Sequence, residues 1–416
     1  MAVYNILIRV YYLILLAASP LHSKARKWIV GRKNLREQFS VIDFSKERWV
    51  WFHCSSYGEF QDGRTLMEAY KKEHPQTQIL LTFFSSTGYE LKRNYQVASA
   101  VFYLPLDTAA NALWLLDMVK PITVFFIRHD IWPNYILACA KRNIPVFLTS
   151  FTLNSESKFF KWPLKEFYRK TFRRLCGIFV HNNDVKQLLQ LNGFSDNIVV
   201  AGNSRIDAII EAAAKSKGDE LIQRFVSDSF CCIAGSTHKK DVEIFLAAFE
   251  LLEAQNIKWI LVPHEVDASE IKNAKEKLGN KMSLLSEAGH CEPQIKLLWV
   301  DRVGALAGLY RYANLAFIGG GFNRSGIHSI LEPLIFGSAV CFGPNIRNYQ
   351  EAKDLLKTGD TKIIESPEEL VSFIIQLKAD REYLNKLGKE NNNYISRAAG
   401  ATRQIISYLE SRNHFV

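Results

Sequence analysis

From residue 49 onward, short runs of apolar residues alternate with longer amphipathic stretches. The first series contains "WVWFHC", "QILLTFF", "AVFYLP", "ITVFFI", "PVFLTS", "GIFVHN" and "NIVVAG". Runs that are apolar throughout, separated by helical stretches, are typical of parallel strands covered by helices on both faces. This series therefore predicts an α/β domain built on a parallel sheet.

A polar, helical stretch at about 207 to 227 interrupts the pattern, which then restarts. The second series contains "FCCIAGS", "WILVPH", "KLLWVD", "LAFIGGG", "AVCFGP" and "TKIIES". Two series of similar size predict two Rossmann-like domains that face each other across a cleft, with ligands at the carboxyl ends of the strands. We assign residues 31–205 to the N-terminal domain and 206–416 to the C-terminal domain.

The first 30 residues differ from the rest of the chain. The segment "VYNILIRVYYLILLAAS" is nearly all apolar, and a basic flank follows it. Three interpretations are open: a cleaved signal peptide, a membrane anchor, and a buried first helix. Arg9 interrupts the segment, and a full span needs roughly 20 apolar residues. We favour an uncleaved anchor over residues 1–30, either a short span or a helix lying in the membrane interface.

Composition narrows the class of protein. The 416 residues are 48% hydrophobic and 23% charged, enough for a large core and for two or three domains. The formal net charge of +10 predicts anionic partners such as nucleic acid, phospholipid or phosphorylated substrates. Seven cysteines without a CxxC pair are typical of reduced thiols in the cytosol. The ten histidines show no metal-ligand spacing, so we expect no metal site.

The junction "WVWFHCSSYGEF" joins a buried strand to small hydroxyl residues and a carboxylate. One interpretation is a helix cap, with Ser55 or Ser56 at the N-cap and Glu59 completing a capping box. The other is the mouth of an active site, in which Ser55, Ser56 and Gly58 contact substrate beside a catalytic Glu59. The junction alone favours the helix cap, because caps are far commoner than catalytic bases.

A glycine-rich stretch, "FIGGGFNRSGIHSILEP", follows a strand of the second series. Gly319, Gly320 and Gly321 let the backbone turn tightly and approach a ligand. The succeeding "GIHSILEP" predicts a helix whose first amides could hold a phosphate. The pattern is neither GxGxxG nor a Walker loop, so a nucleotide-phosphate loop and a tight strand-to-helix turn both remain open.

Taken in order, nine short motifs resemble the 3-deoxy-D-manno-octulosonic acid (Kdo) transferases of lipopolysaccharide synthesis. Besides the apolar N-terminus they are "SSYGEF", "IWPN", "GNSRID", "GSTH", "VPHE", "GGGF", "GIHSILEP" and "FGPN". The resemblance implies a GT-B fold of two Rossmann-like domains, with the acceptor bound mainly by the first and the nucleotide sugar mainly by the second.

The resemblance also implies roles for three residues of the first domain. Glu59 matches the carboxylate that acts as general base on the acceptor hydroxyl. Asp130 stands where the family commonly has a second catalytic carboxylate, a Glu, and its side chain is shorter by one methylene. Arg128 stands where some members carry a further Glu, and it could hold a sugar carboxylate or a phosphate through paired hydrogen bonds.

In the second domain, Ser236, Thr237 and His238 match a loop that the resemblance places near the nucleotide phosphate. The following Lys239-Lys240-Asp241 departs from the family's acidic pattern and makes the loop more cationic. Glu332 is implied to bind the ribose hydroxyls, and its alternative is an acid favoured by a helix start. Further substrate-binding positions implied by matching motifs are Arg205, His264, Glu265, His328 and Ser329.

The stretch "KFFKWPLKEFYRKTFRR", residues 158–174, interleaves basic and aromatic side chains. Such a segment suits nucleic acid or a membrane surface. No nucleic-acid-binding fold accompanies it, so we favour a membrane or an anionic glycolipid and expect no nucleic-acid partner. A helix with one solvated basic face and one aromatic core face remains the alternative.

Together these features predict a membrane-associated, inverting glycosyltransferase that moves Kdo from CMP-Kdo to a lipid A precursor, lipid IVA, and needs no cofactor. We expect it at the cytoplasmic face of the inner membrane. Two alternatives stay open: a GT-B transferase using another nucleotide sugar, and a non-catalytic basic protein that binds membranes or RNA.

Overall fold

The computed structural model describes residues 1–153, 157–194, 196–289, 294–302, 304–346, 349–359 and 361–412. Three helices precede the first strand: α1 (Ala2–Ala18), α2 (Ser23–Gly31) and α3 (Leu35–Ser40). Strands and helices then alternate as β1 (Trp49–Cys54), α4 (Tyr57–Glu73), β2 (Gln78–Phe83), α5 (Ser86–Lys92), β3 (Ala100–Tyr103), α6 (Ala109–Val119), β4 (Thr123–Ile127), α7 (Pro133–Lys141), β5 (Val146–Phe151), α8 (Leu164–Phe172), β6 (Gly177–Val180), α9 (Asn183–Leu191) and β7 (Ile198–Val200).

The first sheet is parallel throughout, in the order β3-β2-β1-β4-β5-β6-β7. Alternate residues of its strands belong to two different cores, because successive side chains of a strand point to opposite faces. Trp51 and Phe126 pack in one core, whereas Phe52 and Phe125 pack in the other. Both faces are therefore covered, and the predicted strands of the first series are confirmed.

Local capping explains where several helices begin. The side chains of Ser56, Ser85, Thr108 and Asn182 each accept a hydrogen bond from a backbone N–H in the first turn of the helix that follows. These bonds satisfy amides that have no partner within the helix. The strand-to-helix junctions are thus defined by short polar residues directly after apolar strands.

The remaining elements build a second sheet. In chain order they are α10 (Ser204–Lys215), α11 (Glu220–Val226), β8 (Phe230–Thr237), α12 (Lys239–Leu251), β9 (Ile257–Pro263), α13 (Ala268–Leu278), β10 (Met282–Leu284), β11 (Leu297–Trp299), α14 (Leu306–Leu309), β12 (Leu315–Ile318), α15 (Leu331–Ile335), β13 (Ala339–Phe342), α16 (Gln350–Thr358), β14 (Thr361–Ile363), α17 (Pro367–Ala379), α18 (Arg381–Ala398) and α19 (Ala401–Ser411). The strand order is β10-β11-β9-β8-β12-β13-β14, again all parallel.

The chain divides into two compact units, Met1–Ala208 with Ala398–Val416, and Ile209–Arg397. The sequence analysis assigned all of 206–416 to the C-terminal domain, and the structure corrects this at the end of the chain. The carboxylate of Asp207 accepts hydrogen bonds from the backbone N–H groups of Gly400 (2.6 Å) and Thr402 (2.7 Å). Ile405 and Leu409 of α19 pack in a core of the first unit.

The N-terminal helix α1 lies on the first unit and has no buried residue, so the interpretation as a buried first helix is wrong. The Tyr4 hydroxyl donates to the Asp107 carboxylate (2.6 Å), and the Asn134 side chain donates to the Asn5 amide oxygen (2.9 Å). Among the described residues, no single helix has the length and apolar character to cross a membrane, and α1 and α2 satisfy those criteria only as a pair bent by 119°.

Candidate active site

The candidate active site of the first unit lies where β1 and β4 end side by side. After β1 the chain continues through α4 to β2 on one side, and after β4 it continues through α7 to β5 on the other side. A crevice therefore opens between the carboxyl ends of β1 and β4. Ser55 directly follows β1, and Asp130 lies three residues beyond β4. The Asp130 carboxylate accepts hydrogen bonds from the Ser55 hydroxyl and from the Ser55 backbone N–H (2.6 Å). Asp130 is only 5% exposed.

Glu59 occupies the first turn of α4 and takes part in a capping box. Its carboxylate accepts from the Ser56 backbone N–H (2.9 Å), and its own N–H donates to the Ser56 hydroxyl (3.3 Å). The capping interpretation is therefore confirmed. It does not exclude catalysis, because the Glu59 carboxylate also forms a hydrogen bond with Asp130.

The two carboxyl groups affect each other's pKa. Burial raises the pKa of Glu59, and burial together with the charge of Glu59 raises the pKa of Asp130 well above its usual range. Two like charges in hydrogen-bond contact cannot both form readily in a buried place. The contact lowers the pKa of Glu59 and raises that of Asp130, so it favours the ionised form of Glu59.

His53 is a buried member of this site that the sequence analysis missed. Its Nδ1 lies 2.8 Å from the Thr82 hydroxyl, which also accepts from the Trp51 indole N–H (2.8 Å). Because the Thr82 hydroxyl oxygen accepts from Trp51, its own proton can be donated to His53 Nδ1. The hydrogen of the imidazole is then on Nε2, which lies 3.5 Å from the Asp130 carboxyl. Burial lowers the pKa of His53 to about 3, so the imidazole is neutral.

Arg128 adopts a left-handed backbone conformation, with φ of 59°, immediately after β4. Its Nε forms an ion pair with Asp62 of α4, whose side chain is 1% exposed against 30% for Arg128. Asp62 lies three residues after Glu59, on the same face of the helix, and the sequence analysis did not identify it. Arg128 is thus partly engaged within the protein through Nε, and its predicted role as an anion ligand stays a prediction.

Two further predicted residues of this unit have a weaker structural case. A Cβ on Gly58 would meet only the Ser56 hydroxyl oxygen, at 3.8 Å, so the fold does not require glycine there. Arg205 lies in the first turn of α10 and is half-buried. Among the described residues, no hydrogen bond or ion pair joins its guanidinium to Glu59 or Asp130. Their assignment to substrate binding stays a prediction.

The candidate site of the second unit lies where β8 and β12 end, at the corresponding change of direction in that sheet. Ser236 has a positive φ of 54°. A Cβ on Gly319 would lie 2.3 Å from the carbonyl oxygen of Ser236, so the two backbones are too close for a side chain at position 319. The Asp241 carboxylate accepts from the backbone N–H groups of His238 and Gly320, each at 2.8 Å. The predicted loops of 236–238 and 319–321 therefore lie side by side. Because Asp241 is buried, it links the two loops and does not add negative charge to the surface of the site.

His264 and Glu265 follow β9 and are exposed, while His328 follows the glycine turn and is half-buried. The imidazole centroid of His264 lies 4.7 Å from that of His238 and 4.6 Å from that of His328. The structure thus brings together three predicted residues that come from the ends of three neighbouring strands.

The helix predicted at "GIHSILEP" begins later and is shorter than expected. It is α15, which starts at Leu331 and has five residues. Pro333 fits only in the first turn of a helix, so the helix cannot begin much earlier, and Ser338 already precedes β13, so it cannot extend much further. Ser329 therefore precedes the helix, where its hydroxyl accepts from the Leu331 N–H (3.4 Å). Glu332 lies in the first turn and is half-buried. The proposed phosphate site on a helix start is not supported, and the tight-turn interpretation fits this segment better.

The basic-aromatic stretch 158–174 is largely part of the core. The rings of Phe159, Phe160, Tyr168 and Phe172 pack in or against the core of the first unit. Trp162, by contrast, is 84% exposed. The alternative of a basic solvated face opposite an aromatic core face therefore describes most of the segment, and Trp162 is its exposed aromatic residue.

Comparisons with known proteins show which proteins this chain resembles. The profile of the family described as 3-Deoxy-D-manno-octulosonic-acid transferase (kdotransferase) matches residues 33–208. The chain is 25% identical over 374 residues to a bifunctional glycosyltransferase/methyltransferase of Fusobacterium nucleatum, covering 86% of this chain but 57% of that protein. It is 27% identical over 371 residues to the 3-deoxy-D-manno-octulosonic acid transferase of Chlamydia muridarum, covering 87% of this chain and 86% of that one.

Among solved structures, UDP-GlcNAc 2-epimerase from Neisseria meningitidis bound to UDP-GlcNAc superposes with a TM-score of 0.62 at 18% identity. The match covers 88% of this chain and all of that one. At this identity the likeness shows the fold alone. The two parallel sheets form a GT-B-like fold. Residues 33–208 match the Kdo transferase family model, and most of the chain is similar to curated Kdo transferases.

Proposed function

We propose that this protein transfers Kdo from CMP-Kdo to a lipid A precursor, lipid IVA, with inversion at the anomeric carbon, in lipopolysaccharide biosynthesis. The match of residues 33–208 to the Kdo transferase family model and the similarity to curated Kdo transferases support the donor and acceptor. The observation that carries the chemistry is the hydrogen-bonded pair of Glu59 and Asp130 at the ends of β1 and β4.

In this proposal the ionised Glu59 carboxylate takes the proton of the acceptor hydroxyl as its oxygen attacks the anomeric carbon of Kdo. The bond between that carbon and the phosphate oxygen breaks, and CMP leaves with the electron pair. Asp130 keeps its proton and donates to Glu59, which holds the base in place. His53 and Ser55 in turn hold Asp130. Orientation and electrostatic stabilisation of the leaving phosphate supply the rest of the rate enhancement.

The donor is proposed to bind at the ends of β8, β9 and β12, where the loops of 236–238 and 319–321 lie side by side. Backbone amides and hydroxyls of these loops suit a phosphate. Glu332 remains the proposed ligand of the ribose hydroxyls, since a carboxylate accepts two hydroxyl hydrogen bonds.

Replacing Glu332 with alanine is expected to weaken CMP binding by about 1 to 3 kcal/mol, the scale for losing hydrogen bonds to a charged group. Isothermal calorimetry with CMP measures the change. Glu368→Ala is the matched control, because Glu368 is likewise an acid in the first turn of a helix of this unit. Equal affinity in wild type and Glu332→Ala would move the ribose contact to another residue.

The acceptor is proposed to approach from a membrane surface. The outer face of α1 exposes a set of large apolar side chains: Val3, Ile6, Leu7, Leu13 and Ile14. The ring of Phe167 in α8 lies 5.5 Å from that of Tyr4, so the basic stretch contacts α1. Apolar and aromatic residues next to cations are typical of proteins that bind anionic lipid. We place the protein on the cytoplasmic face of the inner membrane.

A cavity of about 630 Å³ beside α1 offers a place for the anionic glycolipid. Its lining combines aromatic rings with cations, among them Trp28, Lys33, Arg36 and Trp114. Lys33 and Arg36 are exposed. By contrast, Arg32 donates hydrogen bonds to three backbone carbonyl oxygens and serves the fold. An apolar wall with a basic rim matches the acyl chains and phosphates of the proposed acceptor.

Substituting serine for Ile6, Leu13 and Ile14 together is expected to shift the protein from anionic vesicles to the soluble fraction. The reason is that each buried CH₂ contributes about 0.8 kcal/mol to interfacial binding. Flotation with vesicles containing phosphatidylglycerol measures the shift, and Leu251→Ser, at a comparably exposed leucine of the second unit, is the control. Undiminished flotation of the triple variant would remove α1 from the membrane-binding surface.

A panel of nucleotide sugars distinguishes this proposal from a transferase with another donor. Release of CMP from CMP-Kdo that depends on added lipid IVA, with no nucleotide released from UDP- or GDP-sugars, is the expected result. Acceptor-dependent turnover of a different nucleotide sugar would favour the rival transferase. Lack of turnover with every donor would favour the non-catalytic alternative.

A further inference from the structure

Three imidazoles meet at the carboxyl end of the second sheet. His238 follows β8, His264 follows β9, and His328 lies in the loop after β12. These strands are neighbours in the sheet, in the order β9-β8-β12. The ligand-capable nitrogens of the three rings all lie within 4.8 Å of one another.

The spacing of two of these rings matches a coordination site. The Nε2 atoms of His238 and His328 are 3.2 Å apart. Two imidazole nitrogens bound to one tetrahedral zinc ion at about 2.0 to 2.1 Å are about 3.3 Å apart. His264 is exposed, so rotation about its side-chain bonds can bring its nitrogen to the same ion.

The backbone around all three histidines is held by hydrogen bonds. The His264 N–H donates to the Thr237 carbonyl (2.9 Å), and the His328 N–H donates to the Gly319 carbonyl (3.0 Å). The His238 N–H donates to the buried Asp241 carboxylate, which also accepts from Gly320. Ligands whose backbone is fixed in this way bind a metal without ordering a loop.

Each of the three rings offers one nitrogen as a ligand atom. Neutral imidazole is the form that coordinates metals.

We infer that His238, His264 and His328 form a site for one divalent transition metal ion, of which Zn²⁺ is the best match. Three nitrogen ligands suit zinc, copper and nickel rather than magnesium or calcium. Three protein ligands leave a tetrahedral ion one open position for water or another oxygen ligand. The three histidines lie within the donor site proposed above, but the inference concerns binding of the ion itself, so its test does not require the donor.

The test uses the full-length protein after removal of metals with a chelator. Zn²⁺ is titrated by calorimetry, and Co²⁺ serves as a spectroscopic probe because its visible absorption reports coordination geometry. We expect one site per chain and the absorption of four-coordinate cobalt. His264→Asn and His328→Asn should each weaken binding by at least about 10-fold to 100-fold, since even outer partners of metal ligands have effects of that size.

His22→Asn is the matched control, because His22 is an exposed histidine of the other unit. Circular dichroism of the metal-free variants checks folding, and exposed His264 is the position at which substitution disturbs the fold least. The inference is overturned if the folded wild-type protein binds neither ion, or if His264→Asn and His328→Asn bind as tightly as the His22→Asn control.

Discussion

Glu59→Gln is expected to reduce turnover by about 10²- to 10⁴-fold while the protein stays folded and still binds CMP-Kdo. The magnitude is that of a positioned general base. Glutamine has nearly the shape of glutamate, and its amide oxygen can accept from the Ser56 N–H, so the capping box survives. The amide cannot take the proton of the acceptor hydroxyl.

Single-turnover rates and thermal melting of the same variant separate the two roles of Glu59. Glu73→Gln, at the exposed end of the same helix, is the control. A pH profile of wild-type kcat/KM adds a second readout. Because burial raises the pKa of Glu59, activity should fall with decreasing pH at values above the usual range of a glutamate. A stable Glu59→Gln protein with near-normal turnover would refute the base assignment and make Asp130 the next carboxylate to test.

Arg128→Ala is expected to lower the free energy of unfolding by about 3 kcal/mol, the lower end of the range for breaking a buried ion pair. The reason is that the Asp62 carboxylate, with a side chain only 1% exposed, loses its guanidinium partner. The lower end applies because the Arg128 side chain is itself 30% exposed. Chemical denaturation monitored by circular dichroism measures the difference.

The double variant Arg128→Ala, Asp62→Asn separates stability from substrate binding. Removing the charge of Asp62 should recover most of the lost stability, because the buried charge that Arg128 balanced is then removed as well. If the recovered protein still fails to turn over, Arg128 binds a substrate anion in addition to Asp62. A single variant that melts like wild type would show that the ion pair contributes nothing to stability.

The pattern of apolar runs was enough to predict both sheets, because continuous apolar strands such as "WVWFHC" occur where a sheet is covered on both faces. Strand β10 was missed, since its three residues "MSL" form an edge without a distinct apolar run. The stretch at 207 to 227 proved to be two helices, α10 and α11, because Asp219 caps a second start. The return of α19 to the first unit could not be predicted, because an amphipathic helix does not specify which core it covers.

At the site, the residues after β1 and the glycines after β12 were predicted because strand ends are where ligands bind in parallel sheets. The residues after β4 and β8 were predicted from the resemblance to Kdo transferases. The roles of His53, Asp62 and Asp241 were missed, because each of these buried polar residues has a partner in another element that the sequence does not show. For Asp62, the three-residue spacing from Glu59 was the available signal. The three clustered histidines gave no such signal, because each follows a different strand.

The most direct test is mass spectrometry of purified lipid IVA after incubation with the protein and freshly generated CMP-Kdo. The account predicts a product heavier than lipid IVA by one or more Kdo residues, formed by wild type and by Glu73→Gln but not by Glu59→Gln over the same time. An unchanged lipid IVA mass with active, folded wild-type protein and intact CMP-Kdo would contradict the account.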